Sequence, residues 1–353
     1  MKKIVTVFGT RPELIKLSCV INILNSDADI EHVLCSTGQH NEMVNDLLDF
    51  YGLKLDYNLK LMQPNQKLHS LTSKILDDFS QILEMEKPDL VIVHGDTATT
   101  LASSLASFFQ KIPIVHIEAG LRTHDILTPF PEEANRIIVD RLSSIRFPPT
   151  KLSYNNLVLE GLEMNMTKVT GNTAIDALLY AKSLLNDNFE VKYFPKGGKV
   201  ILVTAHRRES HGLGITRICH AIKSIASSSP DIKVFWPVHP NPNVKDIVHE
   251  NLKNIDNIIL SPPLKYEEFI WAMDNSYMIL TDSGGVQEEA PSLNKPVLVM
   301  RDQTERPEGV EAGCLKMVGT NPRDIKKETY KLLLNEDHYN SMARAKNPYG
   351  DGT

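Results

Sequence analysis

Short apolar, β-branched runs recur along the chain at residues 4–8, 32–35, 90–94, 114–117, 200–204, 233–236, 258–260, 278–281 and 297–300. Runs of this length with no polar alternation predict strands buried on both faces of a parallel sheet. Between them lie longer segments with apolar residues at helical spacing, such as Leu14, Val20, Ile21 and Leu24, or Leu71, Ile75, Leu76 and Phe79. Strand and helix alternate almost throughout, which predicts doubly wound α/β architecture. The alternation is interrupted once. After Phe147-Pro148-Pro149-Thr150 come a helical stretch, the short run Lys168-Val169-Thr170, a second helix from Asn172, and the polar link Phe194-Pro195-Lys196-Gly197-Gly198. A hinge is therefore expected between 150 and 172, with Rossmann-like domains over 1–165 and 166–353 facing across a cleft. In such folds ligands bind beyond the carboxyl ends of the strands, so the useful residues should follow strands.

The length of 353 residues suits two domains, and 42% hydrophobic with 23% charged residues is ordinary globular composition. Apolar runs such as 177–181 and 269–273 fall far short of the ~20 residues of a membrane helix. With 38 basic against 44 acidic residues the formal charge is -6, which argues against a nucleic-acid partner but leaves room for a small anionic ligand. Cys19, Cys35, Cys219 and Cys314 lie far apart with no C-x-x-C pair, so neither a disulfide framework nor a cysteine zinc site is expected. Met1-Lys2-Lys3 leads straight into the first strand with no apolar signal segment, and a cytoplasmic location is expected.

Polar residues cluster at the strand ends. After the first strand, Thr10 and Glu13 have capping-box spacing and Pro12 suits the first helical position, while Arg11 and Lys16 add positive charge. A phosphate or carboxylate site and a well-capped helix with solvated basic residues are both compatible with this. No G-x-G-x-x-G or P-loop pattern follows the strand. Three later strand ends carry acids: Asp96 in His94-Gly95-Asp96-Thr97, Glu118 in His116-Ile117-Glu118-Ala119-Gly120, and Glu132 and Glu133 after a loop. Converging carboxylates do general acid–base work, whereas singly Asp96 reads equally as a helix cap and the two glutamates as first-turn helix charges. His94 and His116 end apolar strands and are read as hydrogen-bonded structural histidines, so no metal is assigned. In the second half, His206, Arg207 and Arg208 open a helix after one strand, and Asp282-Ser283-Gly284-Gly285 follows another. The small residues let backbone N–H groups approach a diphosphate, and Glu289, one turn beyond Gly285, is placed to accept from ribose hydroxyls. A plain turn before a helix is the alternative.

Taken in order, Gly9 to Glu13, His94 to Thr97, His116 to Thr123, Pro131 to Arg136, Thr170 to Thr173, His206 to Glu209, Thr281 to Glu289 and Arg301 to Gly313 resemble, nearly from end to end, the non-hydrolysing UDP-N-acetylglucosamine 2-epimerases. The resemblance implies a GT-B fold, a cytoplasmic homodimer and a UDP-sugar substrate. It further implies no cofactor, and interconversion of UDP-N-acetylglucosamine with UDP-N-acetylmannosamine for bacterial surface polysaccharides. It gives Asp96, Glu118 and Glu132 as the catalytic carboxylates, and His206 as a fourth catalytic residue beside the diphosphate. Arg11, Lys16 and Arg136 become cleft residues, Phe269 the uracil-stacking ring and Leu264 a backbone contact to the base. Ser283, Gly284 and Gly285 cradle the diphosphate, Glu289 meets the ribose and Arg306 the nucleotide edge. Phe269 and Leu264 also have a bland reading as helix-spaced core.

Two stretches depart from the family pattern. Where some members bind an activating second UDP-N-acetylglucosamine through Gln-His-Arg-Gln and a nearby arginine, this chain has Gln39-His40-Asn41-Glu42, and no arginine around Pro64-Asn65-Gln66. Relatives also continue past 347–353 with a helix packed back across the domains. The rival readings are a hydrolysing epimerase that releases UDP and N-acetylmannosamine, a GT-B glycosyltransferase, and a catalytically silent nucleotide-sugar-binding regulator.

Overall fold

The apolar runs pair side by side into two sheets. The computed structural model describes residues 1–353 other than 39–40, 63–65, 163, 305 and 353, without the side chains of 41–43 and 208. The chain divides into one unit built on Met1–Ala177 and another on Leu178–Asp351. The first unit contains β1 (Lys2–Phe8), β2 (Ile30–Ser36), β3 (Tyr57–Asn58), β4 (Leu90–His94), β5 (Ile114–Ile117) and β6 (Ile145–Phe147). They lie in the order β3-β2-β1-β4-β5-β6, every pair parallel.

The second unit repeats this winding. β7 (Lys199–Thr204), β8 (Ile232–Pro237), β9 (Ile258–Ser261), β10 (Met278–Thr281), β11 (Val297–Val299) and β12 (Leu315–Met317) form the parallel sheet β12-β11-β10-β7-β8-β9. In each unit the chain builds outward on one side of its first strand, then returns to the other side. The strand order reverses between β1 and β4, where Ile4 pairs with Leu90, and between β7 and β10, where Thr204 pairs with Thr281. A reversal of this kind splays the two following loops apart at the carboxyl edge and leaves a crevice there.

The continuous apolar runs are explained by helices on both faces of each sheet. Val5, Val7, Val91, Val93 and Ile114 are buried against Phe79, Ile82 and Leu83 of the helix Leu68–Glu86. In the second unit Ile201, Val203, Val234 and Trp236 pack with Ile218, Ile222 and Ile225 of the helix Leu213–Ala226. Full burial of each such side chain contributes about 1.5–3 kcal/mol, so the sheet centres are the rigid part on which the loops stand.

Three strands have no counterpart among the predicted runs. β3, β6 and β12 are edge strands of two or three residues, too short to leave a periodic signal. The segment after the helix Lys151–Leu159 runs beside β6, with Thr167 bridged to Arg146 and the Lys168 N–H donating to the Arg146 carbonyl at 3.1 Å. Among the described residues no helix is long and apolar enough to cross a membrane.

Candidate active site

At the first crevice, β1 ends in Gly9-Thr10 and the helix Arg11–Ser26 begins, so Pro12 occupies its second position rather than its first. The capping box forms, and it does more than cap. Glu13 is buried, and its Oε2 accepts from the N–H groups of Thr10 (2.7 Å) and Gly9 (3.1 Å). Its Oε1 accepts from the hydroxyls of Thr97 (2.9 Å) and Thr100 (3.3 Å), which tie the end of β1 to the end of β4. Burial pushes the Glu13 carboxyl upward, against the opposing hydrogen bonds from Thr10, Thr97 and Gly9. Arg11 is half-buried, and its guanidinium forms no ion pair among the described residues. Lys16, on the same helix, pairs with Glu118.

Past β4, Gly95 turns the chain with φ +66°, a conformation that favours glycine. Thr97, not Asp96, caps the following helix Ala98–Phe109 by accepting from the Thr100 N–H at 3.2 Å. Asp96 is thereby free of the structural duty that its sequence position offered. Its carboxylate pairs with Arg136, and its carbonyl accepts from Asn135 Nδ2 at 2.8 Å. Burial raises the Asp96 pKa and Arg136 opposes this, while the nearby charges of Glu118 and Glu132 raise it further. A carboxyl whose burial and neighbouring charges oppose its cationic partner is a candidate for acid–base chemistry.

Past β5, Glu118 adopts φ +67°, a left-handed conformation that is costly for a non-glycine residue and is concentrated at functional sites. The strained turn points the carboxylate towards Lys16 and towards His94, whose Nε2 lies 3.8 Å from Glu118 Oε2. On the helix Glu132–Leu142 the two glutamates separate in role. Glu133 is fully buried and accepts from the N–H groups of Thr123 (3.0 Å) and His124 (3.1 Å) while pairing with Arg136 at 3.1 Å. Glu132 sits half-buried at the first position, close enough to Asp96 to affect its titration. Asp96, Glu118 and Glu132 thus gather with Lys16 and Arg136 at one edge of one sheet.

The two histidines also part company. His116 is the hydrogen-bonded structural histidine that its strand position predicts, with partners at both ring nitrogens. For His94 that expectation fails: both ring nitrogens are buried and have no hydrogen-bond partner among the described residues. Burial lowers its pKa to about 4, against the pull of Glu118, so the ring is neutral at physiological pH.

In the second unit the crevice lies between the ends of β7 and β10. Asp282 is buried, and its Oδ2 accepts from the N–H groups of His206 and Arg207, each at 2.8 Å, which fastens the two loops together. The His206 ring stacks on His239 with centroids 5.3 Å apart. Burial lowers the His206 pKa; Asp282 opposes this, while His239, Arg207 and His211 add to it. Ser283 stands at the N-cap position of the short helix Gly284–Glu289, its side chain making no capping hydrogen bond. A Cβ on Gly284 would stand 3.2 Å from Arg306 Cζ and 3.3 Å from Arg207 Nη2, so two guanidinium groups crowd over this glycine backbone. Arg306 is steadied by Glu288, with Nη2 to Oε1 2.8 Å, and Gly285 is exposed. Glu289 is half-buried at the end of the helix. Leu264 and Phe269 are half-buried and lie outside the core cluster, whereas Ile270, Ala272 and Met273 are the buried residues of the helix Tyr266–Asp274 that carries Phe269.

The supporting residues Asp140, which pairs with His116 and Arg122, His239 and Glu288 leave no signal in the sequence, and Asp282 shows there only its place after a strand. A buried charge leaves no periodic trace, and only the unusual density of charged residues near strand ends hints at it. Glu13 was legible as a cap but not as the link between two strand ends. Gln39, His40, Pro64 and Asn65 lie outside the described residues, as does the Arg208 side chain. Among the described residues no group of three or more histidine, cysteine or acidic side chains is arranged to hold a metal.

The arrangement has close relatives. The family model described as UDP-N-acetylglucosamine 2-epimerase matches residues 22–353. A UDP-N-acetylglucosamine 2-epimerase of Campylobacter jejuni is 50% identical over 363 residues, covering 100% of this chain and 95% of that protein. One from Escherichia coli K12 is 48% identical over 358 residues, covering 99% and 95%. The crystal structure of the Neisseria meningitidis UDP-GlcNAc 2-epimerase bound to UDP-GlcNAc superposes with a TM-score of 0.90 at 46% identity, over 99% of this chain and 96% of that one. The fold is GT-B, two Rossmann-like doubly wound α/β units.

Proposed function

This chain belongs to the UDP-N-acetylglucosamine 2-epimerase family, and from that premise we propose that it interconverts UDP-N-acetylglucosamine and UDP-N-acetylmannosamine without hydrolysis, as an isomerase. The hydrogen on carbon 2 of the sugar is not next to a carbonyl, so direct deprotonation is a poor route. Elimination avoids the difficulty. A base takes the proton from carbon 2 as the carbon 1–oxygen bond to UDP breaks, giving UDP and 2-acetamidoglucal. UDP then adds back to carbon 1 while a proton is delivered to carbon 2 from the other face. The cycle is redox-neutral and calls on no cofactor, but its two faces require at least two acid–base groups.

The observation that carries this reading is the gathering of Asp96, Glu118 and Glu132 around Lys16 and Arg136, with Asp96 freed from capping and Glu118 held in a strained turn. In this reading a domain proposed over 1–165 does the proton transfers and one proposed over 166–353 binds UDP. In the first unit Arg11, Lys16 and Arg136 are the cleft cations; in the second His206 and the backbone of Ser283, Gly284 and Gly285 steady the diphosphate. Phe269 and Leu264 meet the uracil, Glu289 the ribose, and Arg306 the nucleotide edge. The half-exposed Phe269 and the two guanidinium groups over Gly284 support that assignment. A cytoplasmic homodimer supplying surface-polysaccharide precursors completes the proposal.

Proton NMR of the purified protein with UDP-N-acetylglucosamine in heavy water tests it. Deuterium is expected at carbon 2 of both epimers, with bound UDP and 2-acetamidoglucal detectable. Retention of the original hydrogen through many turnovers sinks the elimination route, and accumulation of free N-acetylmannosamine moves the protein to the hydrolysing class. Binding of UDP with no turnover leaves it a silent regulator.

A further inference from the structure

His94 closes β4 with its side chain 4% exposed and both ring nitrogens without a hydrogen-bond partner among the described residues. Proteins rarely keep a buried imidazole unsatisfied, because its desolvation is then uncompensated. The charged and titratable groups that act on it most are Glu118 beyond β5, Lys16 on the first helix, and His116 on β5. Among these, Glu118 Oε2 lies 3.8 Å from Nε2, about 1 Å beyond hydrogen-bond length, while the same carboxylate oxygen pairs with Lys16.

Building on the epimerase reading above, we propose that His94 is a positioning residue that takes over Glu118 from Lys16 when substrate binds, its Nε2–H donating to Glu118 Oε2. The exchange has a chemical reason. A carboxylate paired with an ammonium is stabilised as the anion and is a weak base. Handed to a neutral donor as Lys16 turns to the anionic substrate, it stays oriented but recovers basicity for the proton on carbon 2. His94 itself touches no reacting atom.

The test compares wild type with His94→Phe, which fills the site without a donor, and His94→Gln, which restores an N–H. In the carbon 2 deuterium-exchange assay, His94→Phe leaves Glu118 with Lys16 and is expected to lose tenfold or more in kcat with KM within about twofold, and the acid limb of its kcat–pH profile to move to lower pH. His94→Gln should recover most of the loss. Unchanged kcat and pH profile in folded His94→Phe overturn the proposal, as does a loss that His94→Gln fails to rescue. Absence of exchange in wild type would instead sink the epimerase reading. If His94→Phe does not fold, nitrogen-15 NMR of the wild-type His94 ring decides. The Nε2-protonated tautomer, with its proton shifting downfield on adding UDP-N-acetylglucosamine, supports the proposal. An Nδ1-protonated ring, or no shift under saturating substrate, refutes it.

Discussion

The Nδ1 of His116 lies 2.7 Å from Oδ1 of Asp140, with both side chains fully buried. The same histidine reaches the Gly95 carbonyl through Nε2 at 2.8 Å, and the second Asp140 oxygen holds the Gly120 N–H at 3.1 Å and Arg122 at 2.8 Å. Arg122 in turn grips Glu160. One buried chain of polar contacts thus fixes the backbone on either side of Asp96 and Glu118, although neither partner belongs to the proposed chemistry.

Burial alone would raise the Asp140 pKa, but His116 and Arg122 outweigh it and hold the carboxyl below its ordinary value. A depressed folded-state pKa contributes stability that is present above the unfolded value of about 3.9 and is lost as pH falls through the folded one. Asp140→Asn should cost about 1–3 kcal/mol near neutral pH, since Arg122 keeps Glu160 while the buried contacts to His116 and Gly120 are weakened. Urea unfolding of the variant measures it, and a change within error would show the pair to be dispensable.

Amide replacements separate catalysis from capping at Asp96, Glu118 and Glu132. Asp96→Asn, Glu118→Gln and Glu132→Gln keep the shape but remove proton transfer, which typically contributes about a hundred- to ten-thousand-fold. Folding and UDP binding should survive while kcat collapses. Near-normal kcat in all three folded proteins would return these residues to a structural role.

His94 makes a pH-dependent contribution to stability that is independent of turnover. Its pKa, about 4 in the folded protein against 6.5 as the ordinary value, is depressed by burial. The unfolded chain therefore takes up a proton in the window between them, so stability is full above 6.5 and declines towards 4. At pH 5 the loss is about 2 kcal/mol from this residue. His32, His206 and His338 shift the same way, so the wild-type slope is a sum. The difference between wild type and His94→Gln isolates the one group, and parallel stability–pH curves would contradict the prediction.

Gly284 probes the second unit. A methyl group there already presses on Arg306 and Arg207, and a branched side chain has no room without moving both guanidinium groups. Gly284→Val should weaken UDP binding about tenfold or more, in line with the roughly 1.5–3 kcal/mol that a hydrogen bond to a charged group contributes. Calorimetric titration with UDP gives the value; unaltered affinity would remove this glycine from the diphosphate site.

The strand runs 90–94, 114–117 and 278–281 coincide with β4, β5 and β10, because a strand covered by helices on both faces needs an unbroken apolar run that shows in the sequence. For the same reason the sequence pointed to the strand ends, where Arg11, Asp96, Glu118, His206 and Ser283 to Gly285 are found. What it left open was the work each polar residue does, since Thr97 and Asp96, or Glu132 and Glu133, are neighbours with equal claims until the backbone decides which one faces inward. The left-handed turn at Glu118, the burial of Glu133 and Asp282, and the His94 ring without a hydrogen-bond partner among the described residues arise from contacts between segments far apart in the chain. Such contacts depend on how the strands are ordered in the sheet, and local pattern carries no record of that order.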